Sequence, residues 1–292
     1  MNYLLPNFLI IGAMKSGTTT LYETLLKHPQ VYLSRLKEPN FFSYSGTPGA
    51  IINNLEDYQA LFREVTDEKA VGEASTTYLF HPKAPKRIHR YIPHVKLIVI
   101  LRDPADRAYS LYLMKYRNEI QKLLYKQNPL DSFAKVVQRG IGGGLSELYC
   151  PALKYYFNLF GREQIKICIY QDLKDIPVIL FKDICKFLNV DCELIGEKSC
   201  KKANVGGIPK NHILYSYLES LRINLSTNLL PRLPNYLYQN IKSTYTEFKN
   251  LNLQQAPPLP PEIRKQIVEM HRDDILQLQD ILQRDLSSWL KY

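Results

Sequence analysis

The run Gly12-Ala13-Met14-Lys15-Ser16-Gly17-Thr18-Thr19-Thr20 gathers two glycines, a lysine and four hydroxyl residues, the groups that hold phosphate. An apolar stretch, Phe8-Leu9-Ile10-Ile11, enters it, and a stretch with Leu21, Leu25 and Leu26 on one helical face leaves it. A strand–loop–helix of this kind aims free backbone N–H groups and the positive end of a helix dipole at one point, which is an anion cradle. Gly12 and Gly17 keep the G-x-x-x-x-G spacing of a P-loop, but the lysine precedes the second glycine by two residues instead of following it. In the triphosphate motif the residue after the lysine holds Mg²⁺, supported by an acid at the end of another strand. Here the long apolar run 97–101 ends in Arg102-Asp103-Pro104, with arginine where that acid is expected. Lys15 and Arg102 would neutralise phosphate as fixed cations without a metal; Asp103 is the carboxylate from which a metal could still be argued. The plainer reading of residues 12–17, a bare strand-to-helix turn, does not account for a lysine among four hydroxyls.

These groups need a scaffold that brings residues 12–20 and 102 together. Apolar runs of strand length occur at 8–11, 31–33, 70–72, 95–101 and 165–170. Helical spacing of apolar residues occupies 18–28, 104–118 and 172–188, the second opening on Pro104, where a missing N–H costs nothing. Strands alternating with helices predict an α/β fold: a P-loop-like domain with a central, mostly parallel sheet flanked by helices. No linker or internal repeat divides the chain, so residues 1–292 are expected to form one domain. The last third is less regular. Residues 200–212 read as a loop with lysines and glycines, 224–260 are rich in Asn, Tyr, Leu and Pro without periodicity, and a helix is expected at about 262–282.

The 292 residues carry 38 Lys+Arg against 28 Asp+Glu, a formal net charge of +10, with 45% hydrophobic and 23% charged residues. That mixture excludes a disordered tail, a collagen-like repeat and a disulfide-dense miniature scaffold. The positive balance suits an anionic partner without choosing among nucleic acid, nucleotide, glycan or membrane surface. The first apolar stretch lacks a basic start and runs into a glycine turn, so it reads as a buried strand and not as a leader. No apolar window reaches the length of a membrane span. Five cysteines, at 150, 168, 185, 192 and 200, show no C-x-x-C spacing. The expectation is a cytoplasmic, reducing location, with a local Cys192–Cys200 bridge as the exception to consider.

The loop Lys15-Ser16-Gly17-Thr18-Thr19-Thr20-Leu21 resembles the 5′-phosphosulfate loop of sulfotransferases that use 3′-phosphoadenosine 5′-phosphosulfate (PAPS). The stretch 98–110, with arginine and serine eight residues apart, resembles their 3′-phosphate strand and helix. Lys37-Glu38-Pro39-Asn40-Phe41-Phe42, Gly72-Glu73-Ala74-Ser75-Thr76-Thr77-Tyr78-Leu79 and the tail from Pro257 to Trp289 fit as well, in the manner of bacterial carbohydrate- and heparan-sulfate-type members. Residues 120–145 and 213–256 match least.

The resemblance implies in-line transfer of a sulfuryl group from PAPS to an acceptor hydroxyl or amine, leaving adenosine 3′,5′-bisphosphate, with no metal. It places Lys15 at the leaving group, and Ser16, Gly17, Thr18, Thr19 and Thr20 around the 5′-phosphate. Arg102 and Ser110 go to the 3′-phosphate, with Gly206, Gly207 and Lys210 as a less regular match to the family's glycine-and-basic loop, ahead of Lys201 and Lys202. Glu38 matches the glutamate that serves as base in the heparan-sulfate branch. Glu73 is a rival base or a structural partner, and Lys37 either contacts acceptor or sulfate or is plain surface. Ala74 stands where heparan-type members carry a lysine. Cys200 falls where that branch has a disulfide cysteine, with Cys192 as its candidate partner; without a leader a reduced pair is expected.

Two other classes compete with this reading: a metal-dependent P-loop nucleotide kinase, and a non-catalytic protein binding anionic glycans. The displaced Lys15 argues against the first, and nothing resembles the aromatic–basic platform of a single-strand binder. The expected acceptor is a glycan, glycolipid or hydroxylated metabolite, not nucleic acid. Peripheral membrane contact falls to the Leu- and Tyr-rich 213–240 stretch. Acceptor identity and oligomeric state are not legible.

Overall fold

The computed structural model of the chain describes residues 4–48, 50–121, 129–140, 142, 144–194, 207–228 and 235–292. In chain order they form β1 (Phe8–Gly12), α1 (Thr18–Leu25), β2 (Val31–Leu33), α2 (Phe41–Tyr44), α3 (Leu55–Ala60), β3 (Ala70–Ala74), α4 (Ala84–Tyr91), β4 (Lys96–Leu101) and α5 (Pro104–Gln121). There follow α6 (Pro129–Gln138), α7 (Tyr149–Phe157), β5 (Ile165–Ile169), α8 (Tyr170–Asp175), α9 (Pro177–Leu188), β6 (Ile208–Pro209), α10 (His212–Asn228), α11 (Asn235–Leu251), β7 (Leu253–Gln254) and α12 (Pro261–Leu282). The chain divides into two compact units, one of residues 1–107, 147–203 and 268–291, the other of 108–146, 204–267 and 292.

The first unit holds a five-stranded sheet in the order β2-β3-β1-β4-β5, parallel at every pairing. Its strands are apolar on both faces because each face has its own core. Successive side chains of a strand point to opposite sides. Leu9 and Ile11 of β1 therefore join Leu97, Val99 and Leu101 of β4 in one core, which also takes in Tyr149, Leu278 and Trp289. Phe8 and Ile10 join Ile98 and Ile100 in the other core, against Leu21, Leu25, Phe181 and Ile184 of α1 and α9. The α/β class and the central parallel sheet expected from the apolar runs are what the chain adopts.

Two helices differ from the sequence expectation. The first ends at Leu25 instead of 28, because Pro29 disfavours a helical His28. His28 is instead held by Asp191, its Nε2 2.8 Å from that carbonyl. The stretch 172–188 is two helices. Ile176 leaves helical geometry (φ −134, ψ 50), and Pro177, which has no N–H to continue the ladder, opens the next helix.

In the second unit, the stretch 224–260, read as lacking periodicity, supplies the end of α10 and all of α11. Glu219 of α10 is nearly buried and accepts from Tyr245 Oη at 2.8 Å and from Lys249 Nζ at 2.6 Å, both on α11. One carboxylate thus fastens two helices whose Asn, Thr and Tyr content gives weak intrinsic preference. The expected loop at 200–212 supplies β6, which pairs antiparallel with β7.

The first unit closes on itself through Asp274 of α12. Its two carboxylate oxygens each accept a backbone N–H at 2.8 Å, from Tyr149 and from Cys150, at the start of α7. No side chain within α7 caps that end. Replacing Asp274 with alanine would leave two buried N–H groups without acceptors. Each such group costs about 1–3 kcal/mol. Asp274→Ala is therefore expected to lower unfolding stability by about 2–4 kcal/mol, read as a shift of the urea midpoint at unchanged slope.

Candidate active site

β3, β1 and β4 are neighbours running in one direction, so the segments leaving their carboxyl ends emerge on one edge of the sheet. The chain passes from β3 across β1 to β4 at this point, the switch where open parallel sheets receive ligands. β1 is tied in on both sides: Ala13 N–H donates to the Ile100 carbonyl (2.8 Å), and Ser75 and Leu79 N–H donate to Ile10 and Ile11 (3.0 and 2.9 Å).

The loop after β1 contains two left-handed residues, Lys15 (φ 68) and Gly17 (φ 97). At Gly17 a Cβ would stand 2.8 Å from Leu173 Cδ2 and 2.9 Å from Tyr170 Cδ2, so only glycine fits. Gly17 is also the N-cap of α1 and offers no side-chain acceptor, and the first turn carries no acid. The positive end of α1 is therefore not compensated by its own sequence. The fully buried Ser16 hydroxyl makes no well-formed hydrogen bond. It neighbours the Tyr149 hydroxyl, whose proton goes to the Arg102 carbonyl at 2.8 Å.

Arg102 leaves β4 beside this loop. Its Nη1 donates to the Lys15 carbonyl at 3.1 Å, Nη2 stands 3.7 Å from Asp106 Oδ2, and the guanidinium lies over the Tyr170 ring at 4.8 Å. The Nε–H is buried with no acceptor. Arg102, Asp103, Asp106, Tyr170, Gln171, Lys174 and Trp289 line a cleft of about 210 Å³. A sheet-edge salt bridge alone would leave neither a buried Nε–H nor a stacked, open guanidinium face.

On the other side of β1, Glu38 follows β2 and is fastened to β3. Its N–H donates to the Ala74 carbonyl at 2.9 Å. Thr76 N–H donates to its Oε2 at 2.8 Å and Thr76 Oγ1 to its Oε1 at 3.0 Å, while Lys37 Nζ stands 2.6 Å from Oε1. The Glu38 side chain is still 31% exposed. Glu38 (φ 61) and Asn40 (φ 55) are both left-handed, a strain that persists only where surroundings over-determine it. Thr76 and Tyr170 were not picked out as site residues in the sequence. Thr76 lay inside a recognised stretch, whereas nothing local marked Tyr170.

Of the readings offered for Glu73, rival base meeting substrate or structural partner, its burial removes the first and leaves the second. It is wholly buried beneath Tyr58 and Tyr78, whose hydroxyls donate to Oε1 at 3.3 and 2.7 Å, and Ser75 Oγ donates to Oε2 at 2.9 Å. Burial pushes its pKa up to about 7, against the hydroxyl donors of Tyr78 and Ser75, with the charge of Glu38 adding to the rise.

The remaining candidates belong to the second unit or lie outside the described residues. Ser110 is half-buried on α5. The Gly207 carbonyl accepts from Arg117 Nη1 at 2.5 Å, and a Cβ there would stand 2.4 Å from the Gln254 carbonyl oxygen. Lys210 donates from Nζ to the Leu251 carbonyl at 3.0 Å, at the end of α11. Gly206, Lys201, Lys202 and Cys200 are outside the described residues; Cys150, Cys168, Cys185 and Cys192 are free thiols.

A family model described as "Sulfotransferase domain" matches residues 5–229. The chain belongs to the sulfotransferase family. This family member is 26% identical over 298 residues to the membrane-associated sulfotransferase kil1 of Dictyostelium discoideum, an alignment covering 73% of this chain and 62% of that protein. It is 31% identical over 200 residues to the mouse bifunctional heparan sulfate N-deacetylase/N-sulfotransferase 4, covering 64% of this chain and 22% of the relative. It thus spans under two thirds of the length of these relatives. A crystal structure of a sulfotransferase from Alicyclobacillus acidocaldarius shares the fold at a TM-score of 0.66 and 25% identity, covering 98% of this chain and 99% of that one.

The raised pKa of Glu73 has a consequence for stability. Between its ordinary value of 4.5 and about 7, the folded state holds a proton that the unfolded state has released. The stabilisation is therefore complete below about 4.5 and is lost as pH rises through about 7, by at most about 3 kcal/mol. Glu73→Gln, which keeps the neutral form at every pH, is expected to gain on the wild type between pH 5 and pH 8 in urea unfolding. An equal difference at both pH values would show that Glu73 is charged throughout.

Proposed function

We propose that the protein transfers a sulfuryl group from PAPS to a hydroxyl or amine of a glycan-type acceptor, without a metal. The observation that carries this reading is the pairing, at one edge of the sheet, of the uncapped start of α1 with the buried, unpartnered Nε–H of Arg102. Both are donors that an anion would satisfy, so the residues present fit a nucleotide with two phosphate positions.

PAPS supplies the activated sulfuryl group. Lys15 stabilises the negative charge that gathers on the leaving phosphate, a placement worth ~3–4 kcal/mol for a single donor. Backbone N–H groups of Gly17, Thr18, Thr19 and Thr20 and the Ser16 hydroxyl hold the 5′-phosphate. Arg102 grips the 3′-phosphate with its planar fork; for Ser110, Gly206, Gly207 and Lys210 a donor-binding role rests on the family resemblance. Glu38 accepts the acceptor's proton. Thr76 fixes its carboxylate while leaving lone pairs open, since a carboxylate has about four acceptor sites. Lys37 pairs with Glu38 and screens it. A fixed arginine in place of the expected acid supports a metal-free site and speaks against a kinase.

The glycan class rests on the heparan sulfate sulfotransferases among the relatives. They include human heparan sulfate glucosamine 3-O-sulfotransferase 6, 37% identical over 107 residues, or 37% of this chain and 30% of that protein. We read residues 1–292 as one catalytic domain, because the family match of 5–229 draws on both compact units. We also infer a reducing, cytoplasmic location; Cys150, Cys168 and Cys185 are buried thiols. Among the described residues no helix is long and apolar enough to cross a membrane. Exposed Ile213, Leu214 and Tyr217 on α10 support peripheral membrane contact.

Adenosine 3′,5′-bisphosphate in EDTA is expected to stabilise the protein against heat by about 2.7 kcal/mol at a hundredfold excess over Kd, with little effect from ATP. Arg102→Ala should weaken the bisphosphate roughly 10–100-fold more than adenosine 5′-phosphate, the value of a lost charge-assisted hydrogen bond. Equal weakening of both nucleotides would contradict the 3′-phosphate role. A response only to ATP with Mg²⁺ would move the reaction to phosphoryl transfer.

Glu38→Gln should leave bisphosphate affinity unchanged and reduce sulfuryl transfer roughly 10²–10⁴-fold, the usual contribution of a general base. Radiolabelled sulfate transfer to glycan acceptors reads this directly, and surviving turnover would remove Glu38 from the base position.

A further inference from the structure

Glu73 has a carboxylate in an aromatic cage, an expensive place for one. Phe41 stacks on Tyr58 at 4.5 Å, and Phe42 meets Tyr58 and Tyr78 edge-on at 5.2 and 5.6 Å. Two of its three hydroxyl donors connect to one short segment. Ser75 Oγ, which donates to Glu73, accepts the Asn40 N–H at 3.0 Å. Tyr78 Oη, which also donates to Glu73, accepts the Phe42 N–H at 3.3 Å.

A hydroxyl has one proton. By accepting those protons, the Glu73 carboxylate turns the lone pairs of Ser75 and Tyr78 toward the backbone of residues 40 and 42. Asn40 extends the link: its Nδ2 donates to the Glu38 carbonyl at 2.9 Å, and its Oδ1 accepts from Thr77 Oγ1 at 2.7 Å. The segment fastened in this way contains the two left-handed residues Glu38 and Asn40. Left-handed backbone at non-glycine residues costs about 1–3 kcal/mol each and relaxes unless held.

We propose that Glu73 is a positioning residue: through Ser75 and Tyr78 its buried carboxylate locks the strained turn 38–42 and so holds the Glu38 carboxylate against Thr76. The proposal rests on the reading of Glu38 as the base. It gives the buried acid a function that contact with substrate, impossible from inside the cage, cannot supply. At metal sites, partners that orient a ligating group matter roughly 10–100-fold, which sets the scale for an orienting contact of this kind.

The test compares crystal structures of the wild type, Ser75→Ala and Glu73→Gln at about pH 8.5, where the wild-type Glu73 is ionised, together with turnover of PAPS on an N-desulfated heparan oligosaccharide as probe. In both variants the Glu38 carboxylate is expected to leave the Thr76 N–H and occupy more than one rotamer. The kcat should fall at least tenfold, with the KM for PAPS and the affinity for adenosine 3′,5′-bisphosphate within twofold of wild type. In a Glu38→Gln background either change should cost nothing further, because its whole effect passes through Glu38. Glu38 remaining on Thr76 in both variants would overturn the proposal, as would losses that multiply in the double variants. Ser75→Ala alone suffices if Glu73→Gln does not fold. If Glu38→Gln keeps full turnover, the base reading fails, and the crystal structures still decide whether Glu73 holds the turn. They decide it equally if the wild type does not accept the probe.

Discussion

A parallel sheet has a direction, and the chemistry of this protein depends on that. All five strands of the first unit point the same way, so their carboxyl ends share one edge. Each end delivers a different part of the site: the phosphate loop from β1, Glu38 beyond β2, Thr76 beyond β3, Arg102 from β4 and Tyr170 from β5. Reversing any one strand would send its residue to the opposite edge.

Within that frame the two sides of β1 do different work. On the β4 side, donors dominate: an uncapped helix start, a lysine and an arginine whose Nε–H lacks an acceptor. On the β3 side, acceptors dominate, with two carboxylates on either side of a strip of hydroxyls at residues 75–77. The strained backbone is divided likewise, with Lys15 on one side and Glu38 and Asn40 on the other. A transfer reaction needs such a division, because negative charge leaves in one direction while a proton departs in the other.

The sheet and the strand–loop–helix at residues 8–25 were legible because their signals are local. Five apolar runs, a glycine pair at P-loop spacing and an arginine after a buried strand each sit within a few residues. Pro177 was equally visible, but the regular spacing of Leu173, Ile176, Leu180 and Ile184 concealed the break it makes. What stayed hidden depended on partners far away in sequence. Thr76 meets Glu38 across 38 positions, Tyr170 reaches Arg102 only through the β4–β5 pairing, and Glu219 organises α10 and α11 by gathering Tyr245 and Lys249. Glu73 could be read as either a base or a structural partner because its aromatic cover is assembled from residues 41, 42, 58 and 78.

Asp274 caps α7 from 124 and 125 positions further along the chain. The same closing segment brings Arg284 onto Asp172, with Nη2 2.6 Å from Oδ1, and Trp289 against Tyr149. During synthesis, then, the sheet can pair long before its flank is sealed. Until the ribosome has added the segment that carries Asp274, the start of α7 lacks its acceptors and the core beneath Tyr149 stays open to water. Local order in this unit should therefore arrive from the amino terminus, but its cooperativity waits for the last helix. A polypeptide truncated just before that helix would carry Lys15, Glu38 and Arg102 in a sheet that cannot hold them still.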